Sequence, residues 1–151
     1  MAYTLQPPSG MAARKDRVEA AAVPAEALAG EFPEIDLPVR PPFPPMEARP
    51  ASKLPGGGGW LYEPKWDGFR CLAFRKGETV ALQSKSGQPL DRYFPEMAEA
   101  FAALPLKTFV LDGEIVIETG GGLDFDALLQ RIHPAASRIR KLARETPASF
   151  H

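Results

Sequence analysis

Hydrophobic and polar positions fall into regular periods only from Trp60 onward. Residues 60 to 64 (WLYEP) read as a short strand, and 69 to 76 (FRCLAFRK) as a second apolar run ended by Gly77-Glu78. A third run, 79 to 84 (TVALQS), pairs with it as a hairpin, and strand spacing puts Phe69, Leu72 and Phe74 in the core. Residues 95 to 104 (PEMAEAFAAL) combine good helix formers with apolar Met97, Phe101 and Leu104, and Pro95 suits the first helical position. Residues 108 to 118 (TFVLDGEIVIE) read as a strand broken only by Gly113, and Gly120 to Gly122 make the next turn. Asp124 caps a short helix over 125 to 131, another helix runs from Pro134 to Arg144, and 148 to 151 (ASFH) open a further strand. Strands come first, then helix, strand, helix, helix, without the alternation of a doubly wound parallel sheet; the fold class is α+β, antiparallel strands with packed helices.

Composition separates this region from what precedes it. At 151 residues and 44% apolar content the chain supports one modest core. Of its 17 prolines, 11 lie within Met1 to Pro55, where no helical or strand period is sustained. That stretch is therefore read as a flexible or wrapping arm, with Gly56 to Gly59 as a loop or hinge and the fold starting at Trp60. Met11 is an alternative start, because residues 1 to 10 carry no pattern.

The formal charge of −1 argues against a nucleic-acid-coating or membrane-surface protein, so nucleic-acid contact has to be local. One local feature stands out. From Arg131 to Arg144 five cations (Arg131, Arg138, Arg140, Lys141, Arg144) occur with no acid, which on a helix is either a phosphate-attracting face or an ordinary solvated one. A single cysteine, Cys71, lies in an apolar run and reads as a small core residue. No stretch reaches the ~20 apolar residues of a membrane span, and a cytoplasmic location is expected.

The stretch richest in chemistry is Glu63-Pro64-Lys65-Trp66-Asp67-Gly68-Phe69-Arg70, a K-x-D-G-x-R arrangement. A lysine becomes a covalent nucleophile when burial or nearby cations deprotonate its amine. Gly68 permits close backbone approach, Asp67 can orient the amine, and Arg70 offers a planar fork for a phosphate or ribose oxygen. The plain alternative is a polar turn. His133 has no partner at metal-ligand spacing and reads as a capping or surface histidine, and Trp60 and Trp66 read as packing residues.

Residues 41 to 150 resemble the bacterial ATP-dependent DNA ligases of the covalent nucleotidyltransferase superfamily. Glu63 to Arg70 looks like motif I, Ser84-Lys85-Ser86-Gly87 like the following motif with its basic residue, and Phe109 to Val116 (FVLDGEIV) like motif III. Phe125 to Arg131 and Ile132 to Arg138 are also similar to this ligase group, which favours DNA as substrate over the RNA ligases and capping enzymes. The resemblance implies a partial nucleotidyltransferase domain of the ligase adenylation type, ATP-grasp-like, over residues 41 to 151, which leaves 1 to 40 as a disordered or wrapping arm. In it Lys65 attacks the α-phosphate of ATP and carries AMP, which passes to a 5′-phosphate before nicked double-stranded DNA is sealed. Glu63, Arg70 and Glu114 would join Lys65 in binding ATP, Arg70 and Lys85 would contact DNA, and Glu114 would support Mg²⁺, with Asp67 and Asp112 as further carboxylates. Lys85 stands where the family usually has arginine, which loses bidentate geometry.

The aromatic, glutamate and lysine motifs that follow this point in the family, and its oligonucleotide-binding barrel, have no counterpart in these residues. The expectation is a fragment with impaired ligation, serving repair, recombination or replication, whose missing half a second polypeptide supplies. A non-catalytic DNA- or partner-binding module and a remnant without function are the competing readings.

Overall fold

Residues 3–5 and 30–151 are described in this computed structural model, and they divide between two units. The first holds residues 3–5 and 46–66, in which β1 (Tyr3–Leu5) pairs in parallel with β2 (Arg49–Ala51). The second holds residues 30–45 and 67–151. The expected arm to residue 40 lies largely outside the described residues.

No strand forms at 60 to 64, contrary to expectation. Leu61 is 90% exposed, so burial does not favour an extended run there, and Pro64 has no N–H to give a ladder.

In the second unit, β3 (Phe69–Lys76) is the second strand of an antiparallel sheet ordered β4-β3-β5-β8, with β4 (Thr79–Ser84), β5 (Thr108–Val116) and β8 (Ser149–Phe150). The strand expected over 108 to 118 ends at Val116 and runs unbroken through Gly113. Glycine is needed there because a Cβ would collide with the carbonyl oxygen of His151 and, at 2.6 Å, with the Phe150 ring. Beyond β5, β6 (Glu118–Thr119) and β7 (Gly122–Leu123) form a small hairpin around the expected glycine turn.

Side-chain alternation divides β3 between two cores. Phe69, Cys71 and Ala73 face the main core, where α1 (Pro95–Ala103), α2 (Phe125–Arg131) and α3 (Ala136–Glu145) contribute Met97, Phe101, Leu128 and Ile139. Phe69 meets Phe94 and Phe125 edge to face at 6.2 and 5.5 Å, and Phe101 meets Phe150 at 5.1 Å. Leu72 and Phe74 point the other way, with Ala81, onto Ile35 and Leu37. Gln83 fixes that covering segment with both ends of its amide: Oε1 accepts from the Phe43 N–H at 2.8 Å and Nε2 donates to the Phe43 carbonyl at 2.6 Å.

Helix boundaries follow local chemistry. Pro95 opens α1, and the Asp124 side chain accepts from the Ala127 N–H at 2.9 Å as the N-cap of α2. α3 starts at Ala136, two residues after Pro134.

Two buried arginines join these elements. Arg75 on β3 is fully buried, and its guanidinium donates to the carbonyls of Gly77, Phe101, Ala102, Leu104 and Leu106, closing the C-terminal end of α1. Arg131 was expected among the exposed cations, and the structure corrects this: it is fully buried and bridges Glu96 of α1 at 2.7 Å, while Glu96 also accepts from the Ala148 N–H at 3.1 Å. A long apolar stem and a carboxylate across the core make burial of that charge tolerable.

Candidate active site

Arg70 is the second residue of β3 and stands opposite Glu114 of β5, with Leu72 opposite Asp112. Arg70, Asp112 and Glu114 therefore share one face of the sheet, the face covered further along by Ile35 and Leu37. The Arg70 guanidinium reaches diagonally to Asp112, donating from Nε to Oδ1 at 2.9 Å and from Nη2 to Oδ2 at 2.6 Å. This planar fork-to-fork contact fixes the orientation of the cation. With side-chain exposures of 27% and 43% the pair stays within reach of solvent and of a ligand. Glu114 is half-buried, and its backbone exchanges two hydrogen bonds with His151, of 2.8 and 3.0 Å, beyond the two residues of β8.

Lys85 lies at the same end of the sheet. Cys71 pairs with Ser84 on one side and with Gly113 on the other, so the turn after β4 and the Asp112–Glu114 stretch flank the start of β3. That turn is tied by the Ser84 side chain, whose Oγ lies 3.0 Å from Ser86 Oγ and accepts from the Gln88 N–H at 3.0 Å. Lys85 is exposed on it. Arg70, Lys85, Asp112 and Glu114 are thus gathered at one sheet end. Glu63 and Lys65, both exposed, belong to the other unit, while Asp67, also exposed, opens this one.

Gly68 explains the need for glycine in the K-x-D-G-x-R stretch. A Cβ there would collide with the Ile115 carbonyl oxygen and would come within 2.8 Å of Val116 Cγ1. Gly68→Ala is expected to destabilise the fold by about 2 kcal/mol, as overpacking does, by pushing the start of β3 off β5. Urea denaturation measures this, and a loss below ~0.5 kcal/mol would show that the strand yields freely.

Three other residue types that the sequence offered, the cysteine, His133 and the tryptophans, play structural parts. Burial, followed by the charge of Asp91, pushes the Cys71 thiol far above its ordinary range, so it stays protonated and packs as an apolar group. His133 Nδ1 accepts from the Ala135 N–H at 3.0 Å, a local turn contact, and Trp60 and Trp66 are half-buried. Among the described residues no three His, Cys, Asp or Glu side chains cluster to hold a metal. Asp112 has both oxygens on Arg70, and Asp67 is exposed. What fits a divalent ion is one carboxylate, Glu114, a partial set that Mg²⁺ accepts when nucleotide phosphates and water complete its shell.

Sequence reasoning missed Asp112 as the partner of Arg70. The signal was the offset of two residues across a β3–β5 pairing, which is visible only once the register is known.

The family described as ATP dependent DNA ligase domain matches residues 45–151. The chain is similar to DNA ligase C1 of Mycolicibacterium smegmatis, at 53% identity over 121 residues, covering 77% of this chain and 35% of that protein. It is similar to DNA ligase C of Mycobacterium tuberculosis at 53% over 116 residues, covering 77% and 32%. A solved structure, the ligase domain of M. tuberculosis LigD, overlays at a TM-score of 0.41 with 29% identity, over 58% of this chain and 26% of that one. The chain spans about a third of the length of these curated relatives.

Proposed function

This chain belongs to the ATP-dependent DNA ligase domain family, and from that premise we propose that Lys65 is the nucleophile that takes AMP from ATP at the start of DNA nick sealing. The family match over residues 45–151, which contains Lys65-Trp66-Asp67-Gly68-Phe69-Arg70, carries this reading. The Lys65 amine gives up a proton, its nitrogen bonds to the α-phosphorus and pyrophosphate leaves. AMP then passes to the 5′-phosphate of a nick, and the 3′-hydroxyl displaces it to close the strand. Phosphoryl transfer of this kind requires positioning and neutralisation of charge more than covalent assistance.

Each site residue has a part in this proposal. Glu63 reads the adenine amine, and Arg70, held by Asp112, meets the ribose or the nicked strand. Lys85 gives a point charge to a DNA phosphate. Glu114 takes a ribose hydroxyl or one position on Mg²⁺, which would enter with the nucleotide and neutralise its phosphates. Duplex DNA with a nick is the substrate, in repair, recombination or replication, and the cytoplasm is the compartment. No helix of the described residues is long and apolar enough to cross a membrane. Because the relatives are about three times longer, sealing is proposed for the stretch together with the remaining ligase residues, in the same chain or from a second polypeptide. Alone it is expected to leave nicks open.

The test is incubation of the purified chain with α-labelled ATP and Mg²⁺, then denaturing electrophoresis, with Lys65→Ala alongside. Label on the wild type and none on the variant is expected. Label persisting on Lys65→Ala would overturn the assignment of the nucleophile; no label on either would show that these residues do not complete the first step alone.

A further inference from the structure

We infer that the outer face of α3 is a docking surface for the phosphate backbone of duplex DNA, made by residues outside the cluster of Arg70, Lys85 and Glu114; the inference rests on DNA being the substrate class. One side of α3 is anchored in the core by Ile139 and Ala143. The other side displays Arg138, Arg140, Lys141 and Arg144, all exposed. The acid of this helix, Glu145, approaches Lys141 only to 3.8 Å, with both side chains more than half exposed, a contact that water and salt readily exchange.

The arrangement is locally unfavourable without an anion. Arg140 and Arg144 are one turn apart and Arg138 and Lys141 are three residues apart, spacings at which like charges repel. Over the whole chain 18 basic residues are balanced by 19 acidic ones, so four cations on ten residues are a local concentration, not a reflection of bulk charge. Arg92 adds an exposed cation near the start of the helix, where it donates to the Pro134 carbonyl at 3.0 Å. Arg131, in the same basic run, does not take part because it is spent on Glu96.

A helix of ten residues is about 15 Å long. A duplex presents one phosphate charge per ~1.7 Å of axis, so several phosphates lie within its reach. The long, mobile side chains suit sequence-independent backbone contact, not base reading.

Binding of the full 151-residue chain to a fluorescent nicked duplex, measured between 50 and 200 mM salt, tests this. Arg140→Gln/Arg144→Gln is expected to weaken binding at least fivefold and to make the log–log salt dependence shallower by about 2, roughly one unit per lost phosphate contact. Lys76→Gln/Lys107→Gln removes the same charge from exposed positions away from α3, at the end of β3 and just before β5, and is expected to change affinity less than twofold. Glutamine keeps helix propensity, and matched thermal melts verify that both variants fold. Equal effects of the two pairs, no effect of the α3 pair, or no duplex binding by the wild type would each overturn the inference. Labelling of Lys65 by ATP, followed on the same preparations, reports on the nucleotidyltransferase proposal independently.

Discussion

Arg75→Ala is expected to cost about 4 kcal/mol, a large part of the roughly 5–15 kcal/mol that holds a domain of this size folded. The reason lies in the end of α1. The last turn of any helix leaves carbonyls without intrahelical donors, and here Phe101, Ala102, Leu104 and Leu106 turn theirs toward one buried guanidinium. Arg75 supplies planar donors in several directions and a positive charge at the negative end of the helix dipole. The fold uses this one side chain to tie α1 and the loop after it to the central strand. Removing it strands partly buried acceptors and opens a cavity at once. Two substitutions separate these effects in urea denaturation. Arg75→Met keeps most of the stem, loses every donor and should be nearly as damaging as alanine. Arg75→Lys keeps three donors on a point charge and should fall between. Wild-type stability in Arg75→Met would mean that packing, not satisfaction of the carbonyls, is what the arginine provides.

A comparable loss, about 3–5 kcal/mol, is expected for Glu96→Leu or Arg131→Leu singly, because either leaves a buried or half-buried charge without its partner. Glu96 receives Arg131 Nη2 at 2.7 Å on each oxygen, and Arg131 also donates to the Tyr93 carbonyl at 3.0 Å and lies 5.0 Å over the Phe94 ring. The double variant should be more stable than either single, since two leucines fill the space without an orphaned ion. A double-mutant cycle by denaturation checks this, and strictly additive losses would remove the ion pair from the account. The node also reaches the candidate site. Glu96 holds the Ala148 N–H immediately before β8, and β8 leads to His151, whose backbone bonds that of Glu114. Loss of Glu96 is therefore expected to increase amide exchange at Glu114 more than at Leu82, whose N–H donates to the Asp91 carboxylate at 2.9 Å, away from β8.

Local chemistry made much of the fold legible. The alternation of FRCLAFRK and TVALQS around Gly77-Glu78 specified a hairpin, Pro95 and Asp124 marked helix starts, and α+β followed from their order. These are effects of neighbours in sequence, and they act before the chain is compact. WLYEP failed for the opposite reason. It has the composition of a strand but among the described residues no partner strand, and its residues after Trp60 are exposed, whereas extended structure needs both pairing and burial. The basic run was read correctly as a pattern and wrongly for Arg131, whose charge sits inside because Glu96, 35 residues earlier, is brought to it.

The candidate site divides in the same way. The stretches Glu63 to Arg70 and Phe109 to Val116 resembled ligase motifs before any coordinates, because a motif is a property of the sequence, and nucleotide chemistry was what that resemblance implied. Which carboxylate holds Arg70, that Gly68 is demanded by the backbone of Ile115, and that Arg75 is spent on the end of α1 all depend on strand register and on contacts across the fold. The sequence by itself determined most elements from Phe69 onward and the chemical groups they carry. The tertiary structure decided their pairings, since a cation is committed only when strand register and packing bring particular acceptors within bonding distance.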